Sequence, residues 1–173
     1  MTEHEFWQLV TATDPFAEPE QIAEELKKRL TDLTDEQLAA FDKHFNQKMR
    51  ETYIWPLWGA AFVIAGCNSE YSFSEFRCWL ISRGEKVFTS TVAQPDDLAD
   101  FDVVPMKAQL PYPFLDEYDL IAGLLYEERT EDELPFVPSG LSEPKGKRFK
   151  DKAKELKKTY PKLYQKYWQM GLN

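Results

Sequence analysis

Ile54-Trp55-Pro56-Leu57-Trp58-Gly59-Ala60-Ala61-Phe62-Val63-Ile64-Ala65-Gly66-Cys67 is a run of fourteen residues without a charge. A bilayer span needs about 20 apolar residues, so this run, with Pro56 and Gly59 inside it, is too short to cross a membrane. Leu57 to Ile64 is apolar on every side of a 3.6-residue helix, the pattern of a helix enclosed by others. Gly66 can end it, because glycine takes the left-handed conformation without a side-chain penalty. A helix of this kind demands partners with one apolar face each, and the flanking sequence supplies them.

Upstream, Thr2 and Glu5 have the spacing of a capping box, and Phe6, Leu9 and Val10 follow on one face. Pro19 suits the first position of a second helix, where its missing amide costs nothing, and Ile22, Leu26 and Leu30 form its stripe. Thr34 and Gln37 repeat the capping-box spacing ahead of Leu38, Phe41, Phe45, Met49 and Tyr53, which recur with a period near 3.6. Downstream, Ser72 and Glu75 give the spacing again, and Phe73, Phe76, Trp79 and Leu80 mark a helix that stops at Gly84. Lys86 to Val92, rich in Val, Phe and Thr, argues strand by local propensity. Pro95-Asp96-Asp97 starts a short helical turn. Asp102 to Pro113 holds three prolines and no period, and reads as a loop; Phe114 to Glu128 is helical again. Residues 131–146 form a Pro/Gly-rich linker. From Arg148 to Trp168 a basic amphipathic helix, broken at Pro161, carries the stripe Phe149, Ala153, Leu156, Tyr160, Leu163 and Tyr167.

The expected fold is therefore all-α: about seven helices around a Trp- and Phe-rich core in residues 1–130, and a basic segment, 147–173, docked on that core. Charge supports the docking. Residues 1–144 carry 28 Asp/Glu against 11 Lys/Arg, whereas residues 145–173 carry 10 Lys/Arg against Asp151 and Glu155. An acidic body with net charge −17 repels nucleic acid, attracts basic proteins, and offers carboxylates to its own tail. The first ten residues have neither the basic end nor the apolar run of a signal peptide. Two cysteines, Cys67 and Cys78, are too few for a disulfide framework. Both features point to reduced, buried thiols and a cytoplasmic protein.

Phe6-Trp7, Phe41-Asp42, Leu57-Trp58-Gly59-Ala60-Ala61-Phe62, Gly66-Cys67, Phe73 to Gly84 and Pro95-Asp96-Asp97-Leu98-Ala99 occur in this order. In that ordered set the chain resembles a bacterial family of unknown function, DUF4240, over roughly residues 3–130. The resemblance implies an all-helical domain and tips Lys86 to Val92 toward helix, against local propensity. It implies no activity, cofactor or partner. The chain departs from the family pattern after Cys67, where Asn68-Ser69-Glu70-Tyr71-Ser72 replaces an acidic, glycine-containing loop.

Catalytic and metal-binding patterns are sparse. His4 and His44 are the two histidines, and no Glu-x-x-His or His-x-x-x-His spacing occurs. Asp42, His44 and Glu51 do not share a helix face, so no metal and no cofactor is expected. A Cys67–His44 nucleophile pair has no supporting motif, and no glycine-rich phosphate loop is present. Arg77 is the most informative polar residue, since it lies on an otherwise apolar helix and needs an internal partner or a ligand. Asp42, Glu70 and Glu75 are the carboxylates that could pair with it, and capping carbonyls of a neighbouring helix are the other internal partner. By elimination, and from the acidic surface, the sequence points to a non-enzymatic module that binds a basic protein, in the manner of an inhibitor or immunity protein. The alternative is a regulator responsive to a small molecule or anion, or an unfamiliar enzyme. It would have a pocket near Trp58, Arg77 and Trp79, with Glu70 and Asp42 as further binding residues.

Overall fold

A computed structural model of the chain describes residues 1–138 and 141–168; positions 139–140 of the linker and 169–173 of the basic segment lie outside the described residues. The protein is mostly helical. Among the described residues the helices are α1 (Glu3–Val10), α2 (Pro19–Thr31), α3 (Asp35–Glu51), α4 (Trp55–Ala65), α5 (Glu70–Ser82), α6 (Glu85–Ala93), α7 (Ile121–Thr130), α8 (Ala153–Thr159) and α9 (Pro161–Tyr167). These nine already exceed the expected count of about seven, and two 3-10 helices, Pro95–Asp100 and Tyr118–Leu120, add to them. The stretch read as an irregular loop also contains a two-residue antiparallel ladder, β1 (Met106–Lys107) with β2 (Leu110–Pro111), closed by Ala108 and Gln109 at positive φ.

Local chemistry sets the helix starts. Thr2 Oγ1 accepts from the Glu5 amide at 3.1 Å while Glu5 Oε2 accepts from the Thr2 amide at 2.6 Å, which satisfies two donors that the first turn of α1 would leave orphaned. Thr34 and Gln37 do the same for α3. The box expected at Ser72 and Glu75 is instead Ser69 with Ser72, so α5 begins at Glu70. Ser69 takes the role because its backbone is extended, as an N-cap requires, whereas Ser72 is already helical. Helix α6 covers Lys86 to Val92 despite the β-branched residues. Burial of Val87, Phe88 and Thr91 on one helical face outweighs local propensity.

Helix α4 lies at the centre. Leu57, Ala60, Ala61, Val63 and Ile64 are inaccessible to solvent, and Gly66 ends the helix at φ +66°. Leu57, Val63 and Ile64 each contribute about 1.5–3 kcal/mol relative to exposure, and the two alanines less. Beside it, α1 lays Phe6 against Phe41 of α3, with centroids 5.2 Å apart, and Trp7 against Phe88 of α6 at 5.2 Å. Lys48 of α3 is buried and reaches Glu3 at 2.6 Å and Glu51 at 3.3 Å, tying α1 to α3.

The C-terminal helices cover α4 from the other side. Leu156, Tyr160, Leu163 and Tyr167 are buried, and Tyr160 Oη donates to the Pro56 carbonyl at 2.7 Å. Asp96, in the first 3-10 helix, accepts from the amides of Lys162 and Leu163 at 3.2 and 2.9 Å, capping α9 from another element. Lys162 meets Asp97 and Asp100, and Lys166 meets Asp102. Exposed ion pairs contribute little by themselves, so the four buried side chains anchor the segment and the charges set its register. Helix α8 starts at Ala153, five residues later than the stripe suggested. Residues 148–152 run outside any helix, with Phe149 packed on Phe62 at 5.4 Å and facing Trp55 at 6.3 Å.

Candidate functional site

Arg77 projects from α5 toward the C-terminal end of α3. Its Nη1 donates to the Met49 carbonyl at 2.9 Å. That carbonyl belongs to the last turn of α3, where acceptors lack intrahelical donors and the helix dipole is negative. The guanidinium also lies against Tyr53 and Phe73, 4.7 and 4.9 Å from their ring centroids. The residue is only 9% exposed, yet its Nε is buried with no hydrogen-bond partner. Among the described residues Arg77 makes no ion pair, so the pairing with Asp42, Glu70 or Glu75 does not form, and the other expected partner, a capping carbonyl, is the one used. A helix-end carbonyl and two aromatic faces hold the cation instead. Burial pushes Arg77 below the ordinary guanidinium range, opposed by the Glu70 and Asp119 carboxylates.

The guanidinium borders a cavity of about 270 Å³. Asn46, Met49, Arg50 and Tyr53 line it from α3 and the turn that follows. Glu70 enters from the first turn of α5, Asp119 from the second 3-10 helix, and Leu141 from the C-terminal half. Tyr53 Oη donates to Glu70 Oε1 at 2.8 Å, which fixes the ring that Arg77 rests against. Burial and the Glu70 carboxylate raise the Tyr53 hydroxyl above its ordinary range. Asp119 borders the same cavity as Arg77 without reaching ion-pair distance, and burial, with the Asp116 carboxylate adding to it, raises its carboxyl. Asp42 stands behind Asn46, whose Nδ2 donates to the Asp42 carbonyl at 2.9 Å and to its carboxylate at 3.0 Å. Burial, then Asp119, pushes the Asp42 carboxyl up to about 6.

The other sequence candidates fall elsewhere. Trp58 is stacked between Trp55, at 5.0 Å, and Phe73, at 4.6 Å, and its indole donates to the Cys67 carbonyl at 3.1 Å. Trp79 packs on Phe76 and under the Arg83 guanidinium, with its indole nitrogen buried and unpartnered. Trp58, Arg77 and Trp79 border three different cavities, so no single pocket joins them. Successive positions on a helix wall face different ways, and α5 is buried almost all round. Glu70 shares the Arg77 cavity; Asp42 lies one residue behind it. Asn46, Arg50, Tyr53 and Asp119 went unnoticed as site residues, because nothing local in the sequence marks a cavity wall built from three elements.

Cys67 and His44 are not together. His44 Nε2 lies 3.0 Å from the Met1 carbonyl and its ring stacks on Phe6. Cys67 Sγ lies 3.2 Å from Ser72 Oγ, and burial pushes its thiol up to about 11, so it is not a ready thiolate. Among the described residues, no three His, Cys, Asp or Glu side chains are grouped to hold a metal ion. No helix among them is long and apolar enough to cross a membrane.

These features define a mostly helical protein in which a buried guanidinium, Arg77, borders a cavity without an ion-pair partner among the described residues. The chain belongs to the DUF4240 family: the model described as "Protein of unknown function (DUF4240)" matches residues 1–128. The match takes in every wall of the Arg77 cavity except Leu141. No curated protein and no solved structure matches the chain.

Proposed function

We propose that this protein is a non-enzymatic ligand-binding module whose site is the Arg77 cavity, and that it takes a small molecule with an anionic group. One observation carries the reading: a buried guanidinium borders a cavity with its Nε unpartnered and no carboxylate closing on it. A buried cation in that state carries a desolvation cost that an incoming carboxylate or phosphate would relieve, through a bidentate, charge-assisted contact. Glu70, two turns before Arg77 on α5, and Asp119 line the same cavity and suit a hydrogen-bond donor elsewhere on the same ligand. The volume lies below the roughly 300–1,000 Å³ of drug-sized sites, which favours a small metabolite. Binding without turnover fits because the Tyr53 hydroxyl is engaged by Glu70 and raised, and no nucleophile–base pair borders the cavity among the described residues.

The test follows the Arg77 Nε–H resonance by ¹H–¹⁵N NMR during titration with acetate, succinate, glutamate and inorganic phosphate. A saturable shift with at least one of them, absent from Arg77→Met, supports the proposal. No movement at millimolar concentrations of any of the four refutes it.

A second reading, a docking module for a basic protein, is favoured by a different surface. Glu127, Glu128, Glu131, Asp132 and Glu133 are all exposed, next to Leu124 at 59% and Phe136 at 86% exposure. Large exposed side chains beside a block of acids suit a partner with an apolar anchor ringed by Lys or Arg. Pull-down from host lysate at low and moderate salt tests it. A stoichiometric basic partner, lost on Phe136→Ala, supports it, and recovery of background alone counts against it.

A further inference from the structure

We infer that the cleft between α4 and residues 148–152 is a second binding site, for a planar anion, specifically a nucleoside monophosphate. The inference is independent of the Arg77 reading. The cleft encloses about 450 Å³, more than the Arg77 cavity. One wall is aromatic, and its order runs outward from the core. Phe73, wholly buried, stacks on Trp58 at 4.6 Å and 19°; Trp58 stacks on Trp55 at 5.0 Å and 18°; and the Arg148 guanidinium lies over Trp55, 5.0 Å from its centroid. The series ends in an exposed guanidinium bordering the cleft. A planar base is the natural next member, because guanidinium planes and indole rings both stack on nucleobases.

The facing wall supplies the charge. Lys150 and Lys152 border the cleft with Arg148, and all three are exposed and free of ion pairs among the described residues. Asp151 also borders it, which leaves the cations in excess by two. The three cations belong to the basic segment 147–173, which is laid against the acidic body. Lys162 and Lys166, by contrast, are already paired with Asp97, Asp100 and Asp102. Three unpaired cations beside a stacked tryptophan pair suit a ligand with a ring at one end and a phosphate at the other. The acidic body, which repels a long polyanion, favours a free mononucleotide over a strand. Side chains rather than a glycine-rich loop would hold the phosphate, so no sequence signature announces the site.

Calorimetric titration with adenosine 5′-monophosphate tests this, with adenosine, inorganic phosphate and a short single-stranded oligonucleotide as separate arms. The monophosphate is expected to bind more tightly than adenosine or phosphate. Arg148→Ala, which removes the guanidinium plane next to the base, and the double variant Lys150→Ala/Lys152→Ala should each weaken it by roughly tenfold, the effect of losing one stacking partner or a phosphate contact. The lysine variant alters exposed residues only, and an unchanged circular dichroism spectrum confirms its fold. Saturating acetate or succinate, the probes of the Arg77 cavity, should not compete with this binding, which separates it from the first site. The proposal is overturned if the monophosphate does not bind at millimolar concentration, if phosphate alone binds as well, if only the oligonucleotide binds, or if binding survives both variants.

Discussion

Gly59→Ala makes two ordinary rules compete at one position. Gly59 lies inside α4, where alanine is favoured over glycine by about 1 kcal/mol, so propensity alone expects a more stable protein. The structure expects the reverse. A methyl group on Gly59 would overlap Tyr160 Oη, approach Cζ to 2.8 Å and lie 3.0 Å from Phe149 Cβ. Tyr160 is held by its bond to the Pro56 carbonyl and is 3% exposed, so it cannot swing aside without lifting the C-terminal segment. Overpacking of this kind costs about 1–3 kcal/mol, and the lost hydroxyl bond adds about 1 kcal/mol. Offset by the propensity gain, the net loss is about 1–3 kcal/mol. Urea unfolding reads it directly, and Tm should fall by roughly 2–4 °C for each kcal/mol. The decisive comparison repeats the substitution in Tyr160→Ala. With the ring gone, Gly59→Ala should become neutral or stabilising, a change of sign that a double-mutant cycle measures. Stabilisation by Gly59→Ala in the wild-type background would refute the reasoning, since Tyr160 could not then be seated on Gly59.

Asp96→Ala removes the acceptor for two amides at the start of α9 and should cost about 1–2 kcal/mol by urea unfolding. Asp42 has a folded-state pKa raised to about 6 from an ordinary 3.8, so the native state binds its proton more tightly than the unfolded chain does. Its contribution to stability is therefore most favourable below pH 4 and declines as pH rises through 6. Asp42→Asn should raise stability at pH 7 by up to about 1 kcal/mol, allowing for solvent screening at a half-buried site, and should flatten the profile between pH 4 and 7. Arg77→Met loses the bond to the Met49 carbonyl but also removes a desolvated, incompletely bonded cation. It should change stability by less than about 2 kcal/mol in urea unfolding while abolishing any anion response.

Periodicity carried most of the helical framework, because α2, α3 and α4 bury the stripes written into them: Ile22, Leu26 and Leu30, then Leu38, Phe41 and Phe45, then α4 on every side. It failed where two local patterns were equally good. Ser69 and Ser72 can each cap a helix, and only the extended backbone at Ser69 decides between them. Phe149 fits the helical stripe of the tail by spacing, but its contacts with Phe62 and Trp55 are made from non-helical chain ahead of Ala153. At the site, Arg77 was legible as a charge on an apolar helix that needs a carboxylate or capping carbonyls. Which carbonyl it takes was not legible, because Met49 contributes a backbone group, which every residue type possesses and no side chain advertises. Asp119 was equally invisible, since a carboxylate reaches the cavity only through the packing of the 3-10 helix Tyr118–Leu120 against α3 and α5.

The seating of Tyr160 on Gly59 also bears on how the chain matures on the ribosome. Helix α4 is synthesised early, but one of its faces waits for residues that follow position 150. At about 5–20 residues per second, the stretch from the end of the family match to Trp168 takes about 2–8 s to make. During that interval the emerging body carries a bare aromatic and aliphatic strip that the finished protein conceals. Nascent chains stalled before residue 150 should therefore engage chaperones that bind exposed apolar surface, and release from them should coincide with emergence of Tyr160 and Leu163.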